Sequence, residues 1–306
     1  MTQPDPLLPG DRIAILSPAS IIDPAYVDGA CATLSAWGFR PEVYPHALGT
    51  HGSFSGTRRE RLDDLSQALA DPGIKAILCS RGGYGCAHLL DCLDADAALW
   101  SRPKWLIGFS DISALHALWG KRDTASIHAS MAKHLTLGPE DPLNRRLLSI
   151  LSGEGCPAVE WTAPEETASY CRPGTGAGIL RGGNLAVISA LIRTPYDPFA
   201  PGSILLVEDI AEPIYKVERI MWQLRMCGIL RSLSGLIFGQ FTDYRPSRDH
   251  LTMEKMLAQF ADDLPAGAPV AFSAPIGHID TNHPVLLNSP ATLTVSSNGG
   301  CNLTFN

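Results

Sequence analysis

No long basic run, paired-cysteine motif, histidine cluster or long apolar stretch occurs in this chain, and each absence removes a class of function. Lysine and arginine number 24 against 31 aspartates and glutamates, so the net charge is -7 and the pI about 5.7. Without a basic stripe the electrostatic footprint of a nucleic-acid binder is missing, and neither DNA nor RNA is expected as a partner. The eight cysteines (31, 79, 86, 92, 156, 171, 227 and 301) show no CxxC pair and no zinc-type spacing, in a chain of 306 residues that needs no disulfide staples. Reduced, mostly buried thiols are expected. Nine histidines are equally dispersed, with no HExxH, so neither a metal site nor a cofactor is expected. No segment approaches the roughly 20 apolar residues of a membrane span, and Met1 to Gly10 is polar and proline-rich. A cytoplasmic protein, neither exported nor inserted in a membrane, is the expectation.

What is present is an ordinary globular composition, 45% hydrophobic and 18% charged. The length suggests two domains sharing one active site. Apolar runs at Ile13 to Leu16, Glu42 to Tyr44, Ile74 to Cys79 and Trp105 to Phe109 alternate with helical patterns at Tyr26 to Trp37, Thr57 to Ala70, Cys86 to Leu99 and Asp111 to Trp119. That βαβα order predicts a parallel sheet covered on both faces, with ligands beyond the carboxyl ends of its strands. From about Ser152 the pattern dissolves into Gly, Pro, Thr and Glu, which predicts a first domain over 1–151, a linker over 152–177 and a second domain over 178–306. In the second domain, Ile204 to Val207, Leu236 to Phe238 and Val270 to Phe272 are expected as buried strands, and 213–227 as a helix opened by Pro213 and closed by Gly228. Alternating residues on either side of Asn298-Gly299 predict a terminal hairpin. The fold class is therefore α/β, a parallel-sheet domain followed by a smaller mixed α/β domain.

The residues just past the strands carry the chemistry. Gly108-Phe109-Ser110-Asp111 follows a strand and opens a helix, a setting that exposes a serine hydroxyl above a parallel sheet, although a serine there is equally an ordinary helix cap. The backbone N–H of Asp111 and the positive end of the helix favour an oxyanion. Arg81-Gly82-Gly83-Tyr84-Gly85 ends the preceding strand, and its glycines let the backbone approach a ligand, with Gly82 or Gly83 a candidate second oxyanion donor. Cys86 competes as a nucleophile, but at that position it is more often a packed hydrophobe. A serine needs a base and the base an orienting carboxylate. Leu205-Leu206-Val207-Glu208-Asp209 is a buried strand ending on two acids that must face opposite ways. Pro275-Ile276-Gly277-His278 places a histidine after a strand and a glycine, with His283 further on.

These residues lie in blocks that resemble the LD-carboxypeptidase family of serine peptidases, whose cell-wall members are murein tetrapeptide carboxypeptidases. The blocks are GDRIAILSPAS, SGTRRERLDDLSQALADPGIKAILCSRGGYG, LIGFSDISAL, GILRGGNLAVISALIRTPYDP, LLVEDIAEPIYKVERIMWQL and PIGHIDTNHPVLLN. The resemblance implies a Ser-Glu-His triad on Ser110, Glu208 and His278, and a first domain similar to class I glutamine amidotransferases. It also implies a cytoplasmic homodimer without metal, acting on a murein tetrapeptide at the bond between an L-centre of a diamino acid and a terminal D-alanine. Such an enzyme must bind a free carboxylate, for which Arg81 or Arg181 is a fork by placement, with Tyr84 beside the glycines. The chain departs from the family at His128-Ala129-Ser130-Met131, at Arg193 and at Pro284-Val285-Leu286-Leu287-Asn288, none of them a triad position. Related microcin C immunity peptidases imply an alternative peptide-nucleotide substrate, which requires an aromatic stacking residue such as Trp161. A Cys86-based amidotransferase is a further alternative that leaves Glu208 and His278 idle, and a non-catalytic peptide-binding module is the non-enzyme one.

Overall fold

A computed structural model describes residues 1–248 and 252–305, so His250 lies outside the described residues. In chain order the first part runs β1 (Arg12–Leu16), α1 (Pro24–Ala36), β2 (Arg40–Val43), α2 (Arg58–Ala70), β3 (Ile74–Cys79), α3 (Leu90–Ala95), β4 (Trp105–Gly108), α4 (Ser113–Lys121), β5 (Ser126–His128), α5 (Ala132–Leu135) and α6 (Pro142–Leu151). There follow β6 (Val159–Thr162), α7 (Glu165–Ala168), β7 (Gly174–Asn184), α8 (Leu185–Ser189), β8 (Ile204–Ile210), α9 (Ile214–Met226), β9 (Gly235–Thr242), α10 (Met253–Ala258) and β10 (Val270–Ala271). The chain ends with β11 (Val285–Leu287), β12 (Ser289–Val295) and β13 (Gly300–Phe305). Two units result, Met1–Cys156 with His283–Asn288, and Pro157–Asn282 with Ser289–Asn306.

The sheet of the first unit has the order β11-β5-β4-β3-β1-β2. Strands β1 to β5 are mutually parallel and β11 pairs antiparallel with β5. Ile13, Ile15, Ile77, Leu78, Leu106 and Ile127 are fully buried, which is why these strands are continuous apolar runs rather than alternating ones. The order 2-1-3-4-5 reverses direction between β1 and β3, and the crevice past the carboxyl ends of strands at such a switch point is where doubly wound sheets bind ligands. The loops after β1, β3 and β4 open there. They hold Ser17, Ser80 to Gly85 and Ser110.

Local chemistry sets the helix ends. At α2 the Thr57 hydroxyl accepts from the Glu60 N–H at 3.3 Å while the Glu60 carboxylate accepts from the Thr57 N–H at 2.7 Å, a reciprocal capping box. The helix expected over Cys86 to Leu99 is broken into a 3-10 turn at Cys86–Leu89, α3 and a second 3-10 turn at Ala97–Trp100. Asp96 accounts for the second of these breaks, since its carboxylate accepts from the Ala98 N–H at 3.0 Å and restarts the chain as a cap inside the apolar pattern.

The second unit is built on the order β10-β9-β8-β7-β12-β13-β6. β7 to β10 are parallel, joined through α8, α9 and α10, whereas β12, β13 and β6 add antiparallel strands. Phe238, Phe260 and Phe272 pack with Val217, Met221 and Leu224 of α9 over the parallel half. The stretch 152–177, expected as a linker, instead contains β6, α7 and the start of β7. Local pattern could not show this, because β6 exists only by pairing with β13 at the other end of the chain. Residues 283–288, expected in the second domain, belong to the first unit because β11 pairs with β5. Strand β10 is also shorter than the expected Val270 to Phe272, ending at Ala271. Among the described residues no helix is long and apolar enough to cross a membrane.

The capping box gives a direct check: Thr57→Ala should destabilise the chain by about 1 kcal/mol, and Thr57→Ser by much less. Urea unfolding of the three proteins measures it, and equal stability of all three would remove the cap from the account of α2.

Candidate active site

Strand β4 is buried throughout and ends at Gly108, where an added Cβ would come within 2.9 Å of Ile112 Cγ1. The chain therefore turns tightly. Phe109 is extended, Ser110 has φ 64°, and Ser110–Ile112 forms a 3-10 turn running into α4. A serine in the left-handed region is strained, and such outliers cluster at functional sites. The Ser110 side chain is half-buried while Asp111 behind it is buried.

The glycine loop after β3 closes on this serine. A Cβ at Gly82 would stand 2.7 Å from Ser110 Cβ and 3.3 Å from the Asp111 nitrogen, so only glycine permits the approach. Gly83 has φ 114°, and a Cβ there would collide with the Ser20 hydroxyl. Cys86 is fully buried. Burial and the nearby Asp111 carboxylate push its thiol well up, the opposite of what a nucleophilic cysteine requires. Arg81 turns its guanidinium to the Ile21 carbonyl at 2.9 Å. Tyr84 is exposed, its hydroxyl 3.1 Å from His88 Nε2 and its ring against Phe54 and His88.

In the second unit Glu208 lies near the end of β8 with no exposed surface. Its Oε2 is 2.7 Å from His278 Nδ1. An ionised carboxylate only accepts, so Nδ1 carries the proton and Nε2 is the basic nitrogen. Backbone geometry makes room for the pair. The pairing of β8 with β9 shifts register between Val207 and Asp209, a bulge opposite Glu208. Gly277 has φ 132°, and a Cβ there would lie 3.1 Å from Glu208 Cβ and 3.2 Å from Oε2. Its N–H donates to the buried Asn282 side chain at 2.9 Å. Burial works against protonation of His278, but the hydrogen bond and charge of Glu208, with Asp209 and Asp243, outweigh it and raise the imidazole above its ordinary value.

Strand alternation sends Asp209 the other way. Its carboxylate accepts from Asn184 Nδ2, the Ala186 N–H and the Ile210 N–H, each at 2.9 Å, and so closes the start of α8. Burial, then the Glu208 charge, raises its carboxyl to about 6. Arg181 pairs in register with Leu205, whereas Asn184 is level with Glu208, which sets Arg181 about 10 Å back along the strand. Trp161 lies on β6, and β13, β12 and β7 separate that edge strand from β8. That is close to 20 Å from the Glu208 strand at sheet spacing. Its indole N–H donates to the Phe272 carbonyl at 2.8 Å. His283 belongs to the first unit, where burial and Arg146 lower its imidazole.

Of the sequence candidates, the structure brings Gly82, Gly83, Asp111 and Ser110 together in the first unit, and Glu208 with His278 in the second. Asn282 and Asn184 were missed. Asn184 had a signal, an asparagine before a helical run; Asn282 had none, because its role depends on the turn at Gly277. Among the described residues no group of three or more metal-ligating side chains is present.

Comparison with known proteins fits this architecture. Residues 13–129 match the LD-carboxypeptidase N-terminal domain and residues 177–293 the LD-carboxypeptidase C-terminal domain. The murein tetrapeptide carboxypeptidase of Pseudomonas aeruginosa is 32% identical over 87% of this chain and 88% of its own. The muramoyltetrapeptide carboxypeptidase of Oxalobacter formigenes has the same fold, with TM-score 0.82 and 27% identity over 95% of this chain and 97% of that one. A microcin C7 self-immunity protein, solved with aspartyl sulfamoyl adenosine, shares the fold at TM-score 0.81 and 21% identity, covering 98% of both chains. The two-unit α/β chain is thus a hydrolase of the peptidase class. It belongs to the LD-carboxypeptidase family.

Two substitutions separate the roles of the paired acids and the glycine. Asp209→Asn keeps only part of the acceptor set and should cost about 1–3 kcal/mol of stability, measured by denaturant unfolding. Gly277→Ala meets both an unfavourable φ and the Glu208 side chain, so it should raise the His278 resonance's mobility and lower its pKa in an NMR titration. An unchanged titration would show that the glycine does not hold the pair.

Proposed function

We propose that the protein is a serine-type LD-carboxypeptidase that releases the terminal D-alanine from murein tetrapeptides, with Ser110 as nucleophile, His278 as base and Glu208 as its orienting acid. The observation that carries this reading is the hydrogen bond at 2.7 Å between the fully buried Glu208 and the half-buried His278, in a chain that belongs to the LD-carboxypeptidase family. The strained φ of Ser110 and the glycine loop packed on it support the choice of nucleophile. The names of the Pseudomonas and Oxalobacter proteins support a small murein peptide as substrate. We place the reaction in the cytoplasm, in recycling of cell-wall peptides, in a homodimer, with no metal or cofactor taking part.

In this mechanism His278 Nε2 takes the Ser110 proton as the hydroxyl oxygen bonds to the scissile carbonyl carbon. The tetrahedral oxyanion is held by the Asp111 N–H and by one from Gly82 or Gly83. His278 then gives the proton to the departing amine of D-alanine, leaving an acyl-serine. Water, deprotonated by the same imidazole, attacks the acyl carbon and frees the shortened peptide and Ser110. Glu208 steadies the imidazolium in both halves. Arg81 and Tyr84 beside the glycine loop are the proposed contacts for the free carboxylate end, and Arg181 is the weaker choice because it stands back along β7. The place of Trp161 on the far edge strand supports a peptide over a peptide-nucleotide substrate.

Turnover of a murein tetrapeptide by purified protein, followed by release of D-alanine, tests the reading. Ser110→Ala should lose about 10⁴- to 10⁶-fold in kcat with the fold intact, while Cys86→Ala stays active. The opposite pattern would end the serine assignment.

The pH profile tests the base. Only neutral His278 accepts the proton, so kcat/KM should rise with pH through a pKa above the ordinary imidazole value of about 6.5. Glu208→Gln removes the largest of the influences that hold the pKa up and leaves Asp209 and Asp243, so its residual activity should rise through a lower pKa while falling by orders of magnitude. His278→Ala should abolish this pH-dependent activity, while His283→Ala changes KM at most. A profile that keeps its midpoint in Glu208→Gln would exclude the pair from catalysis.

A further inference from the structure

The Gly85–Cys86 peptide unit is gripped on both sides by buried charged groups that the proposed mechanism leaves without a task. On its N–H side, Asp111 Oδ2 accepts from the Cys86 nitrogen at 2.8 Å. On its carbonyl side, Arg61 Nη1 donates to the Gly85 oxygen at 3.1 Å. Arg61 is 2% exposed, and the same guanidinium also donates to the Pro18 carbonyl at 2.6 Å and the Gly56 carbonyl at 3.2 Å. Its carbon lies 4.7 Å from the centre of the Phe54 ring. One cation on α2 thus ties the segment after β1, the approach to α2 and the end of the glycine loop.

A buried arginine and a buried aspartate are costly to desolvate, and Arg61 is lowered from its ordinary value mainly by burial. Among the described residues they are not bonded to each other: Arg61 donates to three backbone carbonyls, and Asp111 accepts from Cys86 at both its N–H and its thiol, so what they fix is loop geometry. The loop is the one whose Gly82 leaves no room for a Cβ against Ser110, and whose Gly85 has φ 125° with Arg61 Nη1 2.7 Å from where a Cβ would sit. Asp111 follows Ser110 directly in the chain. Its side chain therefore links the serine turn to the glycine loop, while its own N–H belongs to the serine turn.

We propose that the Asp111 carboxylate and the Arg61 guanidinium are positioning residues that hold the Gly85–Cys86 peptide and so keep the Gly82–Gly83 turn in register with Ser110. This rests on the reading of Ser110 as nucleophile. Misplacing an oxyanion donor affects the transition state more than the bound substrate, so the loss should appear in kcat and not in KM.

The test measures kcat and KM on a murein tetrapeptide, and separately the rate at which a fluorophosphonate labels Ser110, for Asp111→Asn, Asp111→Leu and Arg61→Lys. Asparagine still presents an oxygen to the Cys86 N–H, so Asp111→Asn should lose about tenfold less than Asp111→Leu, for which a loss of about 100-fold in kcat at unchanged KM is expected. Labelling should fall in parallel. Arg61→Lys keeps the charge but cannot reach three carbonyls, and about a tenfold loss in kcat alone is expected. It decides the matter should Asp111→Leu fail to fold. The proposal is overturned if Asp111→Leu or Arg61→Lys keeps full kcat, or if Asp111→Asn is as damaged as Asp111→Leu. Labelling of Ser110→Ala at the parent rate would instead refute the nucleophile, a result readable apart from the loop variants.

Discussion

A carboxylate with no exposed surface has to be met by hydrogen-bond donors, and among the described residues the donor to Glu208 is an imidazole nitrogen, His278 Nδ1. Much of the second unit's local geometry follows from this contact. The bulge between β8 and β9 makes space around the acid, Gly277 lets the chain pass within van der Waals reach of its Cβ, and Asn282 holds the Gly277 N–H so that the turn cannot relax. The pair also sets the histidine's proton affinity, because the same carboxylate that orients the ring stabilises its charged form.

The first unit solves a different problem with backbone. Ser110 sits at a positive φ that costs of order 1–3 kcal/mol for a residue with a side chain, and its surroundings hold it there. Gly108 allows the tight turn onto Ile112, and Asp111 is anchored to the next loop through the Cys86 N–H. His116 adds a further support from α4, lying within 2.9 Å of the Gly108 carbonyl and 2.8 Å of the Ser126 hydroxyl. It is fully buried, and burial lowers it to about 4, so it is neutral there and serves as a strut.

Glu208 and Asp209 illustrate how one chemical type takes two roles through neighbouring positions. Side chains in a strand alternate, so one acid reaches the imidazole and the other the Asn184 and Ala186 donors at the open start of α8, together with the N–H of Ile210 beside it in β8. Exchanging their roles would need a register slip of the whole strand, which would also carry the buried Leu206 and Val207 to opposite faces.

By itself the sequence determined the parallel sheet, the serine turn, the acid strand and the Gly-His pair. Each of these is written in a contiguous pattern: a β-branched run, a glycine-bounded turn, an alternation of period two. The motif blocks added the family for the same reason, since they are contiguous. What the tertiary structure decided lies between segments far apart in the chain. β6 forms only against β13, and β11 joins the first sheet only through β5, so neither the linker over 152–177 nor the second-domain boundary was legible locally. Asp96 ends α3 and starts the following 3-10 turn by accepting from the Ala98 N–H, a local bond that residue periodicity does not weigh. The Asn282 bond to Gly277, the Arg61 clamp and the bulge beside Glu208 are likewise products of packing. Alternation says that only one of the two acids can meet the histidine, and the motif resemblance chooses Glu208; that the contact closes at 2.7 Å on a fully buried carboxylate is a property of the folded chain alone, because only there are water and its competing hydrogen bonds excluded.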